Sequence, residues 1–76
     1  MREDEFFETL VLYLVGLRGR SGARARWVRY VLYRLGFTDL DSKRVAWILR
    51  RLKARGKVES RRRKWFLRDL ARGRGA

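Results

Sequence analysis

The 76-residue chain has no cysteine, histidine, proline, asparagine or glutamine. Without cysteine there can be no disulfide, thiolate nucleophile or thiolate zinc site. Without histidine the usual general base and the commonest metal ligand are missing, and with them the Ser-His and Cys-His dyads. The absent amides and thiol are thermolabile groups, which points to a thermophilic source. No apolar run approaches the ~18 residues of a membrane span. Acidic residues are scarce, 8 against 21 basic, for a net charge of +13. A chain of this size is a single domain that buries only about 60% of its unfolded surface. Such an excess of positive charge exceeds what solubility needs and implies a polyanionic partner, either nucleic acid or an anionic membrane.

Arginine dominates the basic set, with 17 Arg against 4 Lys. Its planar fork suits phosphates and guanine edges, although an Arg-rich genome gives the same bias. The charge is also uneven. The first eight residues set Arg2 against Glu3, Asp4, Glu5 and Glu8, a net of −3 (one base, four acids). Segment 18–34 carries six Arg and no acid, and segment 43–68 carries twelve basic residues and one acid, Glu59. Val11 to Val15 is apolar, but acids precede it, whereas a secretory signal opens on basic residues. The expectation is a folded helix in a cytoplasmic protein with one binding side.

Hydrophobic periodicity predicts four elements. A first helix spans about Glu3 to Val15, with Phe6, Phe7, Leu10, Tyr13, Leu14 and Leu17 at helical spacing, and ends at Gly16. Leu17 to Gly22 reads as a loop. A second helix spans Ala23 to Leu35, with Trp27, Val28, Val31, Leu32 and Leu35 on one side and Gly36 as its stop. A third opens at Asp41 or Ser42 and runs to Arg55 before Gly56, with Val45, Ile48, Leu49 and Leu52 as its apolar stripe. Then the period switches from 3.6 to 2. Residues 57–68 read as a β-hairpin whose turn lacks the usual Asn-Gly signal, and 69–76 as a basic C-terminal tail.

Asp41-Ser42-Lys43-Arg44-Val45, followed by Ile48-Leu49, Leu52, Gly56, Val58 and Trp65-x-Leu67, resembles the recognition-helix-plus-wing signature of the winged helix-turn-helix superfamily. The resemblance covers roughly 6–68. It implies a mainly α domain over 1–68, three helices with a small β-hairpin, similar to a small archaeal transcription regulator or chromatin protein. The wing is short, with no Gly at its tip, and no dimerisation helix follows it. Members of this superfamily also serve as protein-interaction modules, so fold alone does not assign a function.

The residues themselves suggest where binding would occur. With Val45 at the origin of a helical wheel, Lys43, Trp47 and Arg50 fall about 140–200° away, flanked by Arg44 and Arg51. That face, with Ser42 at its start, is the candidate major-groove face, or else a solvated face with Trp47 tucked under the hairpin. Arg61, Arg62, Arg63 and Lys64 cluster at the hairpin tip and repel one another unless an anion neutralises them, as a phosphate backbone or minor groove would. Charge on an edge strand also blocks aggregation, which explains part of that run. Arg26 and Arg29 are phosphate candidates on the second helix, with Arg18, Arg20 and Arg24 extending the footprint. Phe6, Phe37, Trp27 and Trp65 read as core.

Two further readings concern association and chemistry. Leu10 to Val15 is apolar nearly all round, so Val11, Leu12 and Val15 are expected either to meet a second copy as a homodimer interface or to be covered by the tail through Leu70 and Ala71. No catalytic constellation, metal site, cofactor site or small-molecule pocket is evident, and Gly16, Gly19 and Gly22 lack the Lys-Ser/Thr ending of a phosphate loop. The expectation is a non-enzymatic, nucleoid-associated protein that binds double-stranded DNA. The alternative is an RNA-binding or ribosome-associated basic protein, or an interaction module.

Overall fold

The computed structural model describes residues 2–71. Three helices, α1 (Glu3–Arg18), α2 (Ala25–Arg34) and α3 (Ser42–Ala54), precede an antiparallel hairpin of β1 (Val58–Arg61) and β2 (Lys64–Leu67). One helical turn, α4 (Arg68–Ala71), follows. This is the helix-rich, winged-helix-like arrangement that the sequence implies. Residues 69–71 of the expected tail thus form the end of α4, while 72–76 and the side chains of Leu70 and Ala71 lie outside what the structure describes.

Helix α1 opens with Glu3, Asp4 and Glu5 at its positive dipole end. It continues through Gly16 to Arg18, past its expected end. A Cβ at Gly16 would lie 3.3 Å from Leu67 Cδ1, so the bare backbone lets β2 pack directly on the helix. That close approach offsets the about 1 kcal/mol a helical glycine costs. Asp41 caps α3, its carboxylate accepting from the Arg44 amide at 2.8 Å. Both α2 and α3 end in a Schellman motif. Gly56 N–H donates to the Lys53 carbonyl and Lys57 N–H to that of Leu52, and Gly36 and Phe37 repeat this at Tyr33 and Leu32.

The core lies between α1, α2, α3 and the start of β1. Val28, Leu32, Val45, Ile48, Leu49, Leu52 and Val58 are buried there. So are Val11 and Val15, both 0% exposed, with Leu12 half-buried against the same cluster. This corrects the expectation that Val11, Leu12 and Val15 face a second copy: their partners are intramolecular. The buried arc of α1 is Glu8, Val11, Leu14 and Val15, rotated from the arc that the aromatic residues suggest. Phe6, Tyr13, Leu17 and, just after α2, Leu35 are exposed instead.

The loop after α1 returns to the hairpin. A 3₁₀ turn at Gly19–Ser21 leads to Ala23, whose N–H donates to the Trp65 carbonyl at 2.8 Å. Trp65 N–H donates back to the Ala23 carbonyl at 2.7 Å. Ala23 thus forms an isolated antiparallel bridge to β2. Gly22 makes this approach possible. Its φ is +80°, and a Cβ there would lie 2.6 Å from Phe66 Cζ. Gly22→Ala is therefore expected to destabilise the fold by about 2–4 kcal/mol, the sum of a positive-φ cost and an overpacking cost. Denaturant unfolding of the variant checks this, and an unchanged midpoint would contradict it.

Candidate nucleic-acid interface

Strand register sets the wing tip. Val58 pairs with Leu67, Glu59 with Phe66, Ser60 with Trp65 and Arg61 with Lys64, leaving Arg62 and Arg63 as a two-residue turn. Both have positive φ, 51° and 69°. A two-residue turn with that backbone normally takes Asn-Gly, because a Cβ disfavours it. Here two arginines occupy the positions, at a cost of about 1 kcal/mol or more each. Arg61, Arg62 and Arg63 are exposed and Lys64 is half-buried. The hairpin lacked its usual turn signal because cations stand where the signal would be.

The Ala23 bridge brings a second group of cations to the wing. A Cβ at Gly22 would lie 3.0 Å from Lys64 Cβ, so the loop before α2 runs alongside β2. Arg18 is committed to holding that loop: its Nε donates to the Gly22 carbonyl at 3.3 Å and its guanidinium lies over the Trp27 ring at 5.2 Å. Arg20 and Arg24 are exposed and carry no ion pair among the described residues. Helix α2 has no side-chain cap and no acid in its first turn, so its free amides sit beside Arg24 and Arg26, a setting that suits an anionic oxygen. Arg26 and Arg29 are exposed on its outer side with Tyr30 and Tyr33.

Helix α3 sorts its cations by face. On the side toward α1, Arg44 Nη2 donates to Asp4 Oδ1 at 3.0 Å. Arg55 Nη1 donates to Glu8 Oε1 at 2.5 Å. Arg51 Nε lies 2.7 Å from Glu8 Oε2, an ion pair without hydrogen-bond alignment. Glu8 itself is only 5% exposed. Arg44 and Arg51 also sit over the Trp47 ring at 5.3 and 5.2 Å. Trp47, 38% exposed, is therefore fixed between two guanidinium groups. Arg44 and Arg51, expected among the binding cations, are occupied by α1.

Lys43, Arg50 and Lys53 face solvent without an ion pair among the described residues. Lys53 was missed because it lies about 80° from Val45 on the wheel, between the apolar stripe and the expected face. The two ends of that face differ. A groove at the start of α3 is lined by Glu3, Asp39, Asp41, Lys43, Arg44 and Trp47, so acids surround the end where Ser42 and Lys43 stand. Unopposed positive charge lies further along, at Arg50 and Lys53, and continues on the wing and the loop beside it. No family model matches the chain, and no curated protein or solved structure matches it significantly.

Two variants test this arrangement by stability. Replacing Arg62 by Asn and Arg63 by Gly relieves the turn and is expected to stabilise the protein by about 1–2 kcal/mol in denaturant unfolding. Glu8→Gln removes two ion pairs whose arginines still reach water, and is expected to cost about 1–2 kcal/mol, less than breaking a wholly buried pair. A loss of stability in the first variant, or none in the second, would contradict the geometry described.

Proposed function

We propose that this protein binds double-stranded DNA, as a nucleoid component or transcription regulator, through α3 and the wing. One observation carries the reading. Cations that face α1 are neutralised by Asp4 and Glu8, while those on the outer side of α3, the wing and the neighbouring loop have no acidic partner among the described residues. Two of the wing cations, Arg62 and Arg63, sit on a backbone that a neutral Asn-Gly turn would adopt more easily. Strain retained at a cationic tip supports a role for that tip outside the fold.

In this reading Arg61, Arg62, Arg63 and Lys64 meet phosphates or a narrow minor groove. Arg50 and Lys53 enter or border the major groove, with Trp47 against sugar or a thymine methyl. Arg24, Arg26, Arg29 and the start of α2 hold the backbone beside them. Arg44 and Arg51 act as positioning residues that fix Trp47. Sequence preference is modest, because neither Asn nor Gln is present to read adenine. Among the described residues no helix is long and apolar enough to cross a membrane. A second reading, binding of unpaired strands or RNA, draws on Tyr30 and Tyr33, exposed 59% and 58% among Arg26, Arg29 and Arg34.

Binding to duplex DNA, duplex RNA and single strands at two salt concentrations separates these readings. If roughly six phosphates are neutralised, duplex affinity falls about 10³-fold between about 50 and 200 mM salt. Replacing Arg61, Arg62 and Arg63 by Ala flattens the salt slope by up to about three units. Arg44→Ala leaves it nearly unchanged. The Asn-Gly turn variant binds more weakly although it folds more stably. Undetectable duplex binding at the lower salt refutes the reading. Loss of single-strand affinity in Tyr30→Ser and Tyr33→Ser, with duplex binding weak throughout, favours the second reading.

A further inference from the structure

Helix α1 has an outer stripe that the core uses only in part: Leu10 packs against the core and Phe6 lies against Phe7 and Phe37, while Tyr13 and Leu17 face solvent. Phe6, Leu10, Tyr13 and Leu17 recur there at intervals of four, three and four residues, the seam spacing of paired helices. Phe6 is 43%, Tyr13 63% and Leu17 59% exposed, and Leu10 is half-buried. Thr9 flanks the stripe on one side and Leu67 covers Gly16 beyond it, and no charge interrupts the stripe from Phe6 to Leu17.

We propose that this face contacts a second copy of the chain, with the two α1 helices antiparallel about a two-fold axis. Charge selects the occupant. Four of the eight acids lie in the first eight residues, while the chain as a whole carries +13. Two such molecules meeting through the wing, the loop beside it or the outer side of α2 bring arginine against arginine. The α1 face is uncharged along its length, acidic at one end through Glu3 and Glu5, and basic at the other through Arg20 and Arg24. An antiparallel pair sets each acidic end on the partner's basic end and opposes the helix dipoles favourably. A parallel pair sets acid on acid. A nucleic acid finds no cation within the stripe.

Area sets the strength. At the ~150–250 Å² that an aromatic side chain offers, the exposed parts of this stripe amount to on the order of 300 Å² per protomer. A standard interface buries about 800 Å² per partner. At less than half of that area, the dimer is weak and concentration-dependent. It forms without nucleic acid, and Arg20 and Arg24 are the residues it shares with the cationic edge of the DNA-binding reading.

Sedimentation equilibrium of the nucleic-acid-free protein tests this between about 1 and 500 µM, a range that brackets micromolar affinity. The expected mass rises from one chain to two. Tyr13→Glu and Leu17→Glu alter side chains already more than half exposed, so circular dichroism and thermal unfolding stay as in the parent while dimer affinity falls at least tenfold. Glu3→Arg with Glu5→Arg also weakens the dimer, and adding Arg20→Glu with Arg24→Glu restores it. A single-chain mass at every concentration overturns the proposal. So does a dimer indifferent to Leu17→Glu, which would place the contact elsewhere, and a charge reversal that the compensating pair fails to rescue, which would exclude the antiparallel arrangement.

Discussion

Glu8 joins α1 to α3. A carboxylate 5% exposed is unfavourable unless compensated, and Arg51 and Arg55 supply the compensation from one face of α3. This fixes the rotation of α1 about its own axis. With Glu8 turned inward, Val11 and Val15 follow it into the core, one and two turns along, and Phe6, Tyr13 and Leu17 turn outward. Asp4, one turn earlier, meets Arg44 on the same side. A single buried acid thus decides which apolar residues build the core and which remain available for contact.

The same pair of helices divides the arginines of α3 by use. Those facing α1 are neutralised and hold Trp47 between them. Those facing away keep their charge. A helix with cations on every side would spread its field in all directions, whereas pairing on one side leaves a directional field toward solvent. The hairpin and the loop bridged to it through Ala23 extend that field, because the bridge brings two separate stretches of sequence, 20–24 and 61–64, to one edge of the molecule.

Much of this was legible in the residues. The stripe of Val45, Ile48, Leu49 and Leu52 is wholly buried, since four aliphatics at that spacing leave one way to pack α3. The change of period after Gly56 and the Trp65-x-Leu67 pair marked the hairpin. The rotation of α1 was not legible. Its residues 10–15 are apolar nearly all round, so periodicity offered two faces, and the one feature that chooses between them is an acid that sequence patterns place outside. Gly16 read as a stop because its role, admitting Leu67, depends on a strand fifty residues away. Arg44 and Arg51 looked like binding cations because charge along a helix does not reveal which acids lie across from it.

The wing and the core also bear on each other energetically. The buried core is small, and the free protein carries +13, so self-repulsion opposes the compact state. Arg62 and Arg63 add backbone strain within a run of four adjacent cations. On the reading proposed above, a polyanion along the wing neutralises the repulsion and offsets the strain, because a ligand that binds only the folded form stabilises it by mass action. A neutral Asn-Gly tip would make the free protein more stable and remove the charges that draw such a ligand. On the reading proposed above, stability forgone in the free state is the thermodynamic counterpart of affinity in the bound one.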